Sequence, residues 1–313
     1  HTLYCLGCMC PVGQILCLDK EVLVLERNRL LLTPLWSCFF SWGFPDNSCA
    51  FGNYVTDKVY MSLCDWGETL CAACPNQTTI VTAGTSTVVC VWDVAVNKDK
   101  LDRMKLKQVW LCPLYGHTDA VTCLAVSEAH SVLVSGSRDL TCILWDLEEL
   151  CYVTQLAGHK AGVTALAINN LTGEIASCAG ALLYLWTMKG QLLTWVEPSC
   201  GPQPDILCIS FTQRHEWDAK NVIVTGCADG VIRIWRTEYT RTQLPGPPEE
   251  PVSCQGKGWE RHLVLCRELN RSQAASQRRY KTNPAITTLA MSRSHATLLA
   301  GDAWGRVFTW TCE

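Results

Sequence analysis

The chain has 313 residues, 48% hydrophobic and 18% charged, with 26 Lys and Arg against 29 Asp and Glu and a formal net charge of -3. That balance predicts a sizeable packed core and lacks the basic excess of a general nucleic-acid binder. It contains no apolar run of about 18 residues and no charged-then-apolar leader, so neither a membrane-spanning helix nor a secretory signal is expected. It starts at His1 rather than Met and reads as a soluble piece cut from a longer protein.

In chain order, residues 1–12 contain a strand-like stretch, TLYCLGCMC. Residues 13–67 read as two irregular strand sets. The first, GQILCLDKEVLVLERNRLLLTP, has two or three strands about a turn at Arg27-Asn28. The second, SWGFPDNSCAFGNYVTDKVYMSLCDWG, has turns at Pro45 to Asn47 and at Asp57-Lys58.

From residue 68 the pattern repeats, in segments 68–114, 115–156, 157–203, 204–269 and 270–313. Each has an alternating strand such as AVTCLAVS, then a second strand and a small-residue turn such as SVLVSGSRD, then a strand ending in tryptophan. The tryptophans are Trp92, Trp145, Trp186, Trp235 and Trp310, at spacings of 53, 41, 49 and 75 residues. A fourth strand such as CYVTQLAGH completes a unit of about 40 residues, which can bury its faces only against copies of itself. The expected fold is all-β: a propeller, with seven blades of four-stranded antiparallel sheet and six as the alternative. The last repeat stops after its tryptophan strand, so residues 1–12 are expected to supply the missing outer strand. Residues 238–258, rich in Pro and Gly, predict a flexible insertion. Residues 270–283 predict a basic loop holding Arg271, Arg278, Arg279 and Lys281.

The 21 cysteines are odd in number and spread along apolar strands, which predicts buried thiols in a cytosolic setting. Two Cys-x-x-Cys pairs exist, Cys5/Cys8 and Cys71/Cys74. Neither has the second pair that a zinc site needs, and Cys71 and Cys74 fall in the strand-like ETLCAACP, where residues three apart face opposite ways. No metal or cofactor is expected.

Ser135 and Asp139 stand ten and six residues before Trp145, and His117 stands at the start of the same repeat. These are the residue types of a hydrolase triad. Partial copies at the same offsets, or one residue short for Ser177, argue for structure instead. Thr225, Asp229 and Trp235 recur without the histidine, with Asp205 or a neighbour in its place. Thr82 and Trp92 recur with Ser86 at the aspartate position. His159, Ser177 and Trp186 recur with Gly180 there. No Gly-x-Ser-x-Gly elbow raises a nucleophile. Phosphate-binding Gly-rich loops and His-Glu-x-x-His are also absent. The expected role of His117, Ser135, Asp139, Trp145, Thr225, Asp229 and Trp235 is a structural clamp, with no small-molecule substrate.

Gly116-His117, Gly158-His159, Trp92-Asp93 and Trp145-Asp146 resemble the end signals of WD40 repeats. SCAFGNYVTDKVY, IVTAGTSTVVCVW, SGSRDLTCILWDL, NVIVTGCADGVIRIWR and LLAGDAWGRVFTW narrow this. Together they resemble the C-terminal propeller of BEACH-family proteins, in the WD repeat- and FYVE domain-containing class. That resemblance implies a non-enzymatic adaptor in endosomal trafficking and autophagy, with a role in antigen handling by immune cells. It also implies contact with the BEACH region of the same protein. One branch of the class carries a long acidic insertion with an aromatic motif for autophagy ubiquitin-like proteins. Residues 238–258 lack that core, which argues against the same binding mode here.

On the resemblance, residues just before the turn aspartate face the upper rim: Thr85, Arg138, Ala228 and Ala303. Trp304 takes the aspartate position itself, and either folds under the rim or anchors a partner. Tyr115, beside Gly116, poses the same alternative. Arg278, Arg279 and Lys281 could instead meet an anionic membrane peripherally. Trp217 is expected to be a packing anchor on the lower face.

Overall fold

The computed structural model describes residues 6–7, 14–17, 22–25, 29–32, 38–44, 46–53, 58–63, 67–76, 78–96, 104–108, 114–196, 204–212, 222–241, 259–270, 283–291 and 297–311. Strand β1 is Leu6–Gly7. β2 (Gln14–Cys17) and β3 (Val22–Leu25) form a two-stranded hairpin. The next four strands form one sheet: β4 (Arg29–Leu32), β5 (Cys38–Trp42), β6 (Cys49–Asn53) and β7 (Lys58–Leu63). A second comprises β8 (Thr69–Ala73), β9 (Thr79–Gly84), β10 (Cys90–Val96) and β11 (Met104–Gln108). A third comprises β12 (Val121–Ser127), β13 (Val132–Ser137), β14 (Cys142–Asp146) and β15 (Cys151–Leu156). A fourth comprises β16 (Val163–Ile168), β17 (Ile175–Ala179), β18 (Leu182–Trp186) and β19 (Leu192–Val196). A fifth comprises β20 (Ile206–Thr212), β21 (Val222–Cys227), β22 (Ile232–Arg241) and β23 (Trp259–Leu269). In the last, β24 (Ile286–Met291), β25 (Thr297–Asp302) and β26 (Arg306–Thr311) are joined by β1, which lies antiparallel on β26 with Leu6 opposite Val307. All sheets are antiparallel, and all but the last, which β1 completes from the other end of the chain, are meanders, the arrangement of a β-propeller.

The middle strands are buried on both faces, so β13, β17 and β18 read as continuous apolar or small runs rather than alternating ones. The core lies between neighbouring sheets. Val134, Leu144 and Leu156 pack against Val163, Ile175 and Leu182, and Leu183 and Leu185 pack against Ile206 and Ile223. The β4–β7 sheet presents Phe40, Trp42 and Phe51 to Ile80 and Trp92.

The first strand of five sheets bulges at the same point, between Thr69 and Cys71, Val121 and Cys123, Val163 and Ala165, Ile206 and Cys208, and Ile286 and Thr288. A bulge re-aims a side chain. Here the Thr122 hydroxyl bonds the Val163 carbonyl of the next sheet, and Thr164 bonds Ile206 at 2.6 Å. The Cys71 and Cys208 thiols reach Val121 and Ile286 in the same way, at 3.7 Å. Sheets are thus stitched side to side near their inner edge.

Three expectations are corrected. Residues 238–241 belong to β22, paired from Glu238 opposite His262 to Arg241 opposite Trp259, because the ladder continues past the Trp strand; residues 242–258 lie outside the described residues. The strand after Arg27-Asn28 pairs with β5, not with β3, so it starts the next sheet. Lys58 is the first residue of β7 rather than a turn residue. Cys5, Cys8, Arg271, Arg278, Arg279, Lys281 and Trp217 lie outside the described residues.

Candidate functional site

In the β12–β15 sheet the residues singled out by their offsets meet. The Trp145 indole N–H donates to Ser135 Oγ at 2.8 Å. Ser135 Oγ lies 2.8 Å from His117 Nε2, and His117 Nδ1 lies 2.8 Å from Asp139 Oδ2. Indole N–H is donor only and carboxylate acceptor only, so serine accepts from tryptophan and Nδ1–H donates to Asp139. Asp139 also accepts from the Thr118 N–H at 3.0 Å and the Thr141 hydroxyl at 2.6 Å. Burial alone would push its carboxyl up; Thr141, Thr118 and His117 outweigh that and hold it below the ordinary carboxylate value. Ser135 is 0% exposed. A nucleophile needs an approach for substrate, and this oxygen is enclosed between indole and imidazole. The arrangement ties the start of the repeat to its third strand and to the β13–β14 turn.

Gly116 is required by packing: a Cβ there would come within 2.8 Å of Ile143 Cδ1 and 3.1 Å of the Trp145 ring. Gly158 precedes the other histidine for a different reason. Nothing would crowd its Cβ, but its φ of +113° is costly for any other residue.

The β16–β19 sheet repeats the first half of the relay. Trp186 donates to Ser177 at 2.8 Å, and Ser177 lies 2.8 Å from His159 Nε2. Gly180 offers no carboxylate, and His159 Nδ1 instead reaches the Leu140 carbonyl of the preceding sheet at 3.2 Å. That backbone acceptor favours imidazolium, but burial among Tyr184 and Trp186 dominates and lowers the His159 pKa below 6.5.

The other sheets keep less. Trp92 bonds Thr82 at 2.8 Å and Trp235 bonds Thr225 at 2.9 Å. In the β20–β23 sheet Asp229 is not joined to the Thr225–Trp235 pair by a histidine, nor does Asp205 take that place. Asp229 turns to Arg233 at 2.8 Å, and Arg233 also reaches Glu268 at 2.9 Å. Asp205 gives its backbone carbonyl to the Ala228 N–H at 2.9 Å. Trp310 pairs across from Leu298, and the position ten residues before it is Ala300, which has no hydroxyl to offer.

At these turns, the N–H before each turn acid or its replacement bonds back to the start of its repeat: Thr85 to Glu68, Arg138 to Ala120, Ala228 to Asp205 and Ala303 to Ala285. This turns the Thr85, Arg138 and Ala228 side chains outward, while Ala303 is half-buried. Thr85 uses its hydroxyl to accept the Glu68 N–H at 3.0 Å. Trp304 is 42% exposed, with the Arg306 guanidinium 5.1 Å from its ring centre. Asp302 Oδ1 caps that turn by accepting the Trp304 and Arg306 N–H groups, both at 2.9 Å. Tyr115 is 69% exposed.

Sequence reasoning passed over Leu140, Lys160 and Trp195. Lys160 Nζ sits 4.8 Å over the Trp195 ring, and both side chains are open to solvent. Leu140 has φ +70°, where two equivalent turns carry Gly230 and Gly305 at φ +76° and +80° and a third carries Thr87 at φ +63°. Leucine at a glycine offset is the signal that could have found it.

Cys71 is buried, and burial pushes its thiol well up. Cys74 lies one residue beyond β8 and donates to the Asn76 carbonyl at 2.8 Å. Burial also raises Cys142 and Cys178 well above the usual thiol value and Cys123 to about 12, which leaves them protonated and unreactive. Among the described residues no three His, Cys, Asp or Glu side chains gather as for a metal ion. Among the same residues no helix is long and apolar enough to cross a membrane.

The sequence is similar to those of known proteins. The model of the WD domain, G-beta repeat, matches residues 108–146 and 197–236. The chain is 47% identical to human WD repeat- and FYVE domain-containing protein 4 over 99% of its length, which is 10% of that protein. It is 30% identical to protein SPIRRIG of Arabidopsis thaliana over 97% of its length and 8% of that protein. It is 33% identical to human lysosomal-trafficking regulator over 73% of its length and 6% of that protein. The chain belongs to the WD-repeat propellers of BEACH-family proteins. It spans about a tenth or less of the length of these relatives.

Proposed function

We propose that this propeller is a non-enzymatic docking module that binds protein partners through its upper rim. The observation that supports it most is the double role of the relays. The β12–β15 relay uses every polar atom of its Ser-His-Asp set internally, while its turn holds Arg138 outward, as the turn one repeat over holds Thr85. Rigid elements that project loop residues are the usual arrangement for recognition. The kinship with large BEACH-family relatives, one named as a lysosomal-trafficking regulator, favours a cytoplasmic adaptor at endosomal or autophagic membranes. By the same kinship its partners include the BEACH region of its own protein, and its cellular setting includes antigen handling.

Proximity labelling in cells, with the propeller carrying Arg138→Glu or Trp304→Ala, tests the reading. Loss of a shared set of labelled proteins in either variant, at unchanged abundance of the bait, is the expected result. Labelling unchanged in both counts against the rim.

A further inference from the structure

The seam between the β12–β15 and β16–β19 sheets carries a patch that the clamp residues do not use. Its four side chains come from three elements. Arg138 and Leu140 come from the β13–β14 turn, Lys160 from the segment leading into β16, and Trp195 from β19. Leu140 is 43% exposed and Trp195 45%.

The parts are joined rather than merely near in sequence. His159 Nδ1 bonds the Leu140 carbonyl at 3.2 Å, and the Lys160 N–H reaches the Tyr184 hydroxyl at 3.3 Å. A Cβ on Gly162 would sit 3.2 Å from the Arg138 Cα, so backbone packs on backbone across the seam. The Lys160 ammonium sits 4.8 Å over the Trp195 ring. A rigid seat of this kind loses little entropy when it is occupied.

We propose that this seam is the part of the upper rim that takes a partner, and that the partner presents an acidic peptide segment bearing a large apolar side chain. The inference rests on the rim being a docking face and adds its position and chemistry. Two observations carry it. First, Arg138 and Lys160 have no carboxylate partner among the described residues, whereas Arg233, Arg236 and Arg261 are each paired with an acid. The exposed Asp119 nearby is turned to its own neighbour, the Ala120 N–H, at 2.6 Å. The seam therefore offers two open cations to an incoming anion. Second, Leu140 holds a left-handed backbone conformation that glycine adopts freely in two sister turns and that Thr87 shares in a third, but there without a large apolar side chain. The turn does not require leucine for its shape, so strain is kept together with an exposed apolar side chain. Retained strain of this kind points to use. With Trp195 it provides the apolar half of the site, and aromatic side chains backed by cations are frequent anchors.

The test is selection of a random 12-residue peptide phage library against the folded domain, followed by fluorescence anisotropy with the enriched peptides. The expected outcome is peptides of net negative charge with at least one aromatic or large aliphatic residue. Their binding should weaken as salt rises, and drop at least tenfold in Arg138→Glu/Lys160→Glu. It should drop at least fivefold in Leu140→Gly, whose melting temperature should equal or exceed the parent's, which separates lost contact from lost fold. Enrichment of neutral or basic peptides, or binding indifferent to these substitutions, overturns the proposal. So does flotation with phosphatidylserine vesicles that depends on Arg138 and Lys160 in the absence of any enriched peptide. Peptides that bind but are lost only with Trp304→Ala sink the seam and leave the rim standing. Peptides untouched by all of these variants sink both.

Discussion

Two adjacent sheets solve one problem differently. In β12–β15 the relay from Trp145 ends on a carboxylate of its own turn, so the sheet is closed on itself. In β16–β19 the relay from Trp186 finds no carboxylate and ends on the Leu140 carbonyl of its neighbour. Between these two sheets the histidine, not the aspartate, is the part of the clamp that is kept. Where the acid is lost, the free Nδ1–H is satisfied across the seam, and a bond within one sheet becomes a bond between two. A buried donor left unpaired would be costly, so the substitution at Gly180 is tolerated because an acceptor is already in reach.

Removing each histidine measures this difference. His117→Ala takes one partner each from the Ser135 hydroxyl and the Asp139 carboxylate and leaves a ring-sized void, which should cost about 3–4 kcal/mol. His159→Ala takes one partner from the Ser177 hydroxyl and leaves the Leu140 carbonyl without its imidazole, and should cost about 2–3 kcal/mol. Denaturant unfolding of both variants checks the order; a larger loss at His159 would break the comparison. Asp139→Ala keeps the Trp145–Ser135–His117 half and should cost about 1–2 kcal/mol, read by the same melts. Without the carboxylate, His117 gains a free Nδ1–H on a side chain that is fully enclosed.

Acid should sharpen the contrast. Burial lowers the folded-state pKa of His159 below 6.5. The unfolded imidazole therefore binds its proton first as pH falls, and stability drops from about pH 6.5 until the folded imidazole titrates too. The parent should lose more of its melting temperature than His159→Gln between pH 7.5 and 5.5. Equal losses would mean that His159 does not titrate as its burial requires. The depressed carboxyl of Asp139 acts in a lower window: its contribution is complete above the unfolded carboxylate value and is lost as pH falls through the folded one. The smallest effect belongs to the third solution, in β20–β23. Arg233→Gln should cost under about 1 kcal/mol, because Asp229 and Glu268 are partly open to water and screened. Thermal melts at low and high salt test this.

The repeating tryptophans and the small-residue turns were sufficient to lay out the regular sheets, because a buried middle strand and a tight turn each demand particular residues. The offsets among Ser135, Asp139 and Trp145 likewise pick out side chains that the structure brings to 2.8 Å. Other features had no such mark. The acceptor for His159 is a backbone carbonyl, which every residue possesses. The substitute at Asp229 is an arginine four residues on in the next strand, which reads in sequence as an outward-facing strand residue. Residues 238–241 are polar and run into a proline-rich stretch, so their ladder with β23 is hidden. The pairing of β4 with β5 instead of β3 depends on which neighbour offers an open edge, and both were equally apolar.

The central claim is that Ser135 and His117 form one coupled unit inside the sheet. A double-mutant cycle measures it: unfolding free energies of the parent, Ser135→Ala, His117→Ala and the double variant. The account predicts a coupling above about 1 kcal/mol, since the second substitution removes a group already deprived of its partner. Effects that add to within about 0.3 kcal/mol would contradict it.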